Sequence, residues 1–229
     1  MVMEANPAES AEPVATLTVD EVRAKLRVSR PGLRFSEVMT GMITMGITDP
    51  VEGYKNDAAI AMRLDATVTV PNLPGFIKDP NHKGQWRAAG SIPVLGGDVI
   101  DMGDGDFGLF RRAIRAGKGV RELVYDTTIS VGGQQYKMRG RKYVEPSPPW
   151  RVWPATTTLY VQLLPVGDET GEPVAAGVLR LTLWAFLRQL LSMEVIGDFS
   201  VFDRWLHKLS FYRFFVRSLV NTYIKGRRW

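Results

Sequence analysis

The chain of 229 residues contains no cysteine and only two histidines, His82 and His207. The first absence excludes disulfides, thiolate metal ligands and cysteine nucleophiles together. The second leaves too few imidazoles to complete a tetrahedral zinc set, so no metal site is expected. A G-x-S-x-G nucleophile elbow is also missing. His82 stands in the loop-like "DPNHKGQ" and His207 in a helical stretch, and each reads as an exposed or capping residue in preference to a general base. No run approaches the roughly 18–20 apolar residues of a membrane-spanning helix. The opening "MVMEANPAESAEP" is acidic and proline-bearing, without the apolar core of a secretory leader, so a cytoplasmic location with at most peripheral membrane contact is expected.

What is present is ordinary for a globular chain: 45% hydrophobic and 23% charged residues, enough to bury a sizeable core. Residues 1–16 read as a disordered arm rich in Ala, Glu and Pro, and 17–229 as one domain. Thr18 and Glu21 have capping-box spacing ahead of "VRAKL", which predicts a short helix stopped by Pro31-Gly32. The net charge of +5 is uneven: the stretch from Phe199 to Trp229 carries +6 and the remainder −1. No nucleic-acid motif accompanies this basic tail, so no nucleic-acid partner is expected.

From Arg34 to about Thr182 the hydrophobic period is two. In "DAAIAMRLDATVTV" one face collects Ile60, Met62, Leu64, Ala66, Val68 and Val70. Similar alternation runs through "RFSEVMTGMIT", "KGQWRAAGSIPV", "RELVYDTTISV", "QQYKMRGRKYV", "TTLYVQLLPV" and "VAAGVLRLTL", with Gly132-Gly133 as a two-residue hairpin loop. About eight strands of this kind predict a mainly β protein, an antiparallel, lipocalin-like β-barrel or strongly curved sheet. From about residue 183 the period lengthens: Leu183, Phe186, Leu187, Leu190 and Leu191 form one helical stripe, and a second C-terminal helix runs from about Val201 to Lys225.

Gly103, Gly105 and Gly108 match G-x-G-x-x-G, but Asp104 and Asp106 would oppose a pyrophosphate, and "LFRRAIRAGKG" gives no sound helix after the turn. The stretch reads as a polar glycine-rich loop between strands, and no cofactor is expected. Asp101, Asp104 and Asp106 also lack the order and closing Glu of a calcium loop.

The patches "FSEVMTG", "GDFGLF", "WPATTTLYVQL", "VLRLTLWAFLRQLLSMEV" and "RFFVRSLVNTY" resemble an accessory β-rich module. That module accompanies cholesterol-oxidase-like glucose-methanol-choline oxidoreductases, often with an α/β-hydrolase domain, in bacterial multidomain polypeptides. The resemblance implies a partner domain for enzymes acting on sterol-like or lipid substrates, not a flavoenzyme in itself. It carries over no catalytic residue.

The expectation is therefore a non-catalytic barrel that binds a lipophilic small molecule, with an oxidoreductase or hydrolase as partner. Met62, Leu64, Trp86, Tyr125, Met138 and Tyr160 are the candidate ligand-lining residues. The alternative is an isomerase or cyclase of a hydrophobic substrate, with Asp126, Tyr125 or Tyr160 as acid-base candidates. A third reading is a plain interaction subunit. In the last helix Trp205, Leu206, Leu209, Tyr212, Val216, Leu219, Val220, Tyr223 and Ile224 form an apolar stripe expected to pack on the barrel. Phe211, Phe214 and Phe215 fall on the opposite side. Either the helix bends near Ser210 or is covered by the N-terminal arm, or these rings, with Arg217, Lys225, Arg227 and Arg228, contact an anionic membrane or a partner enzyme.

Overall fold

A computed structural model describes residues 30–93, 97–100, 105–145, 156–167, 171–182 and 192–222. The elements in chain order are β1 (Gly32–Met45), α1 (Pro50–Lys55), β2 (Ile60–Val70), α2 (Leu73–Lys78), β3 (Lys83–Ile92), β4 (Gly97–Ile100) and β5 (Gly105–Arg115). They continue with β6 (Lys118–Val131), β7 (Gln134–Val144), β8 (Thr158–Pro165), β9 (Ala175–Arg180), β10 (Glu194–Ile196) and α3 (Val201–Val220).

The strands form an antiparallel meander in which β1 to β3 and β6 to β9 pair in chain order, β4 and β5 bridge β3 to β6, and β9 returns to pair with β1, closing an eight-stranded barrel. One wall is made of two collinear pieces. β4 and β5 both lie between β3 and β6, β4 against the end of β3 and β5 against its start. β1 is edged in the same manner, by β9 over Thr40–Met45 and by β10 over Gly32–Arg34.

Period-two sequence produces this wall directly, because successive side chains of a strand point to opposite faces. In β2 the residues Met62, Leu64, Ala66, Val68 and Val70 are buried, as the alternation requires, while Ile60 at the start of the strand is exposed. The β6–β7 turn is Gly132-Gly133, with φ of +59° and +79°, the pair of left-handed residues that a two-residue hairpin of matching twist demands. At the closing seam glycine is required for space: a Cβ on Gly41 would overlap the Val178 carbonyl, and one on Gly177 the Met42 carbonyl.

Two short helices that the sequence reading missed plug the connections. Asp49 caps α1 by accepting from the amides of Val51 and Glu52, at 2.8 and 2.9 Å. Asn72 caps α2 through the Gly75 amide at 3.1 Å. Ser200 starts α3 by accepting from the Asp203 amide at 3.1 Å.

Two expectations change. The segment from Gly105 is strand β5 and not a loop, and Gly108 lies inside it. The helical stripe also faces the other way from the one expected: Trp205, Leu206, Leu209, Val216 and Val220 are exposed, while Phe211 is buried and Phe214 and Phe215 pack on the core. Tyr212 and Leu219 are half-buried. The arm 1–16, the helix near Thr18, the helix from residue 183, Asp101, Asp104, Tyr223, Ile224, Lys225, Arg227 and Arg228 lie outside the described residues.

Candidate ligand-binding site

Three polar side chains, Glu37, Tyr125 and Lys142, meet inside a mostly apolar barrel. Glu37 stands in β1 between Phe35 and Met39, and Lys142 in β7 between Gly140 and Val144 on the same inward face. Tyr125 stands in β6 between Leu123 and Thr127 on its inward face. Glu37 is 4% exposed, Lys142 1% and Tyr125 fully buried.

They form one hydrogen-bonded set. The Tyr125 hydroxyl donates to Glu37 Oε1 at 3.0 Å. Lys142 Nζ donates to Glu37 Oε2 at 2.8 Å and to the Tyr125 hydroxyl at 3.2 Å. β1 and β6 are opposite walls of the ring, so the set bridges the barrel interior. Burial, reinforced by the adjacent Glu37 carboxylate, raises the Tyr125 hydroxyl well above its ordinary pKa and keeps it a neutral donor.

The set lines a mostly apolar cavity of about 50 Å³, walled by Phe35, Phe107, Leu109, Phe110, Leu123, Thr156, Leu181 and Met193 and roofed by Phe211 and Phe215 of α3. Such a space holds a few water-sized groups. A β-bulge between Gly108 and Arg111 gives the wall its shape, turning both Leu109 and Phe110 inward with Phe110 at φ +54°. α3 is anchored over the opening by rings: Phe214 meets Phe76 edge-on at 6.0 Å and His82 at 4.7 Å, and Phe215 lies 5.5 Å from Phe110.

Of the ligand-lining and acid-base candidates named from sequence, only Tyr125 lines this cavity. Met62, Leu64, Trp86 and Met138 point inward but fill the barrel as packed core. Trp86 stacks edge-on against Tyr125 at 5.4 Å, and its Nε1–H donates to the Asp126 carbonyl at 3.1 Å.

Asp126 and Tyr160 belong to the outer face, one residue out of phase with the interior, which corrects their placement as acid-base candidates in a cavity. Asp126 accepts from both terminal nitrogens of Arg141, one of them at 2.8 Å. Tyr160 packs on Tyr143 at 5.7 Å beneath the Arg115 guanidinium. Phe211, Phe214 and Phe215 belong to the barrel-facing side of α3, not to an outer contact surface. Glu37 and Lys142 were passed over in the sequence, although strict alternation puts Glu37 in phase with Phe35 and Met39, and Lys142 with Met138 and Val144.

Isolating an ion pair from water costs several kcal/mol per ion before mutual attraction is counted, so this set is not a cheap way to hold a barrel together. Chemically it is a neutral array with one donor to spare. An ammonium has three N–H groups, and Glu37 and Tyr125 take two of those on Lys142. The third is available to an oxygen acceptor in the cavity.

Among the described residues no group of three His, Asp or Glu side chains is placed to hold a metal, and no helix is long and apolar enough to cross a membrane. Comparison of the chain with protein-family models, curated proteins and solved structures finds no match.

Proposed function

We propose that the barrel binds a lipophilic small molecule ending in a neutral oxygen group, a hydroxyl or ketone, without transforming it. The observation that carries this reading is the spare N–H of Lys142 inside an apolar cavity. Glu37 already cancels the lysine charge, so a neutral acceptor gains a hydrogen bond there while a carboxylate meets repulsion from Glu37. Drug-sized ligands occupy pockets of roughly 300–1,000 Å³, far more than this cavity offers. A sterol-sized ligand is therefore admitted only when Phe211 and Phe215 move with α3. In this role the chain is an accessory to an oxidoreductase or hydrolase of sterol-like or lipid substrates, as its resemblance to the accessory module implies.

The test is titration with medium-chain alcohols, ketones and carboxylates of equal length, followed by thermal stabilisation, together with native mass spectrometry of the purified chain. Tighter binding of the alcohol or ketone, weakened in a Glu37→Met, Lys142→Met double variant that still folds, supports the reading. Failure of all three series to bind, with no co-purified lipid, overturns it.

The same set favours a second reading, acid-base catalysis of an isomerase or cyclase kind, because the Tyr125 hydroxyl is held between a carboxylate and an ammonium. Turnover of a bound ketone that is abolished in Tyr125→Phe with binding retained distinguishes it.

A further inference from the structure

The outward side of α3 carries Phe202 at 71% exposure and Trp205 at 66%, with Leu206, Leu209, Val216 and Val220 also exposed. At 100° per residue these six lie on one side of the helix, opposite Phe211 and Phe215. Arg213 and Arg217 lie within that same outward stripe and are exposed. Neither arginine side chain has a hydrogen-bond or ion-pair partner among the described residues. Of the five formal charges on α3, only Asp203 is negative, and Ser200 engages it at 2.7 Å.

We infer that this face seats α3 on an anionic lipid bilayer, with Trp205 and Leu209 entering the interface and Arg213 and Arg217 on the phosphates. Bulky apolar side chains interleaved with arginines are what a helix lying in the plane of a charged interface requires. A second copy of the chain is a poorer occupant, because pairing two such faces brings arginines together with no carboxylate between them. The basic balance continues in the sequence with Lys225, Arg227 and Arg228. The inner side of the same helix roofs the cavity, so the seated helix holds the ligand opening against the membrane. This extends the carrier reading but is tested apart from it, since ligand titration in solution involves no vesicles.

The experiment is co-sedimentation of the full chain with phosphatidylcholine vesicles with and without phosphatidylserine, at low and at physiological salt. Binding is expected only with phosphatidylserine and should weaken as salt rises. Arg213→Gln and Arg217→Gln should each lower affinity about fivefold. Trp205→Ser with Leu209→Ser should lower it tenfold or more; these sites are exposed, so an unchanged thermal transition confirms that the fold is intact. The inference is overturned if the wild type stays in the supernatant, if it binds both vesicle types equally, or if these substitutions leave binding unchanged. A concentration-dependent dimer dissociated by Trp205→Ser overturns it as well, assigning the face to self-association.

Discussion

At one end of the barrel the inward positions are Ile43, Met62, Ile92, Ile129, Met138 and Leu163, all buried and packed against one another. At the other they are Phe35, Glu37, Leu109, Leu123, Tyr125 and Lys142 around a cavity under α3. The same strands supply both ends. β1 passes from Glu37 to Ile43, β6 from Tyr125 to Ile129 and β7 from Lys142 to Met138. The difference teaches that this wall architecture leaves the contents of its interior free. One end is filled to the density that stability asks for, and the other keeps space and charge at a cost that stability does not ask for.

The largest effect should come from breaking the polar bridge on one side only. Glu37→Met leaves the Lys142 ammonium buried without its counter-charge and should lower unfolding free energy by about 3–5 kcal/mol in urea denaturation. Adding Lys142→Met should recover most of that loss. A double variant as unstable as the single one would make the bridge structural and remove the contrast between the two ends.

Truncation comes next in size. Leu64→Ala, in the filled end, should cost about 2–5 kcal/mol. Leu109→Ala, beside existing space, should cost less by about 1 kcal/mol or more, since less packing is lost there. Equal losses would mean that the cavity end is as tightly packed as the filled one.

Titration gives the third contrast. The raised Tyr125 pKa means that the folded state holds this proton more tightly than the unfolded state, in which tyrosine ionises near about pH 10. Its contribution is complete below that pH and is lost as pH rises above it, at about 1.4 kcal/mol per pH unit. Alkaline melts of Tyr125→Phe should show a shallower decline than the wild type.

The smallest effect lies in the turns. The filled end closes its β6–β7 hairpin with two glycines, whereas the β5–β6 hairpin at the cavity end uses Ala116-Gly117, with Ala116 at φ +48°. Ala116→Gly should raise stability by about 1 kcal/mol or less, partly offset by the freer unfolded chain.

The sequence made most of the wall legible, because alternation is a local signal and strands such as β2 and β7 carry it cleanly. It hid β5, whose glycines and aspartates are depleted in strands and mimic a phosphate loop. Helix α3 was found but turned the wrong way. It carries bulky apolar residues on opposite sides, so its orientation was decided by ring contacts with Phe35, Phe76 and Phe110, residues distant in sequence. The bridge was half legible: Tyr125 drew notice as an aromatic, while Glu37 and Lys142 were passed over as charges, and their in-phase positions meant little until β1 and β7 faced each other across the interior.

The seam between β1 and β9 also sets the order of assembly. Hairpins such as β1–β2 and β6–β7 join neighbours in the chain and can form early, whereas the β1–β9 pairing of Thr40–Met45 with Ala175–Arg180 must wait for every intervening wall. Glu37 and Lys142, 105 positions apart, meet only as that ring shuts. Until then both charges stay hydrated, so shedding their water belongs to the final, slowest step of folding, and the seam amides should be the last to gain protection from hydrogen exchange.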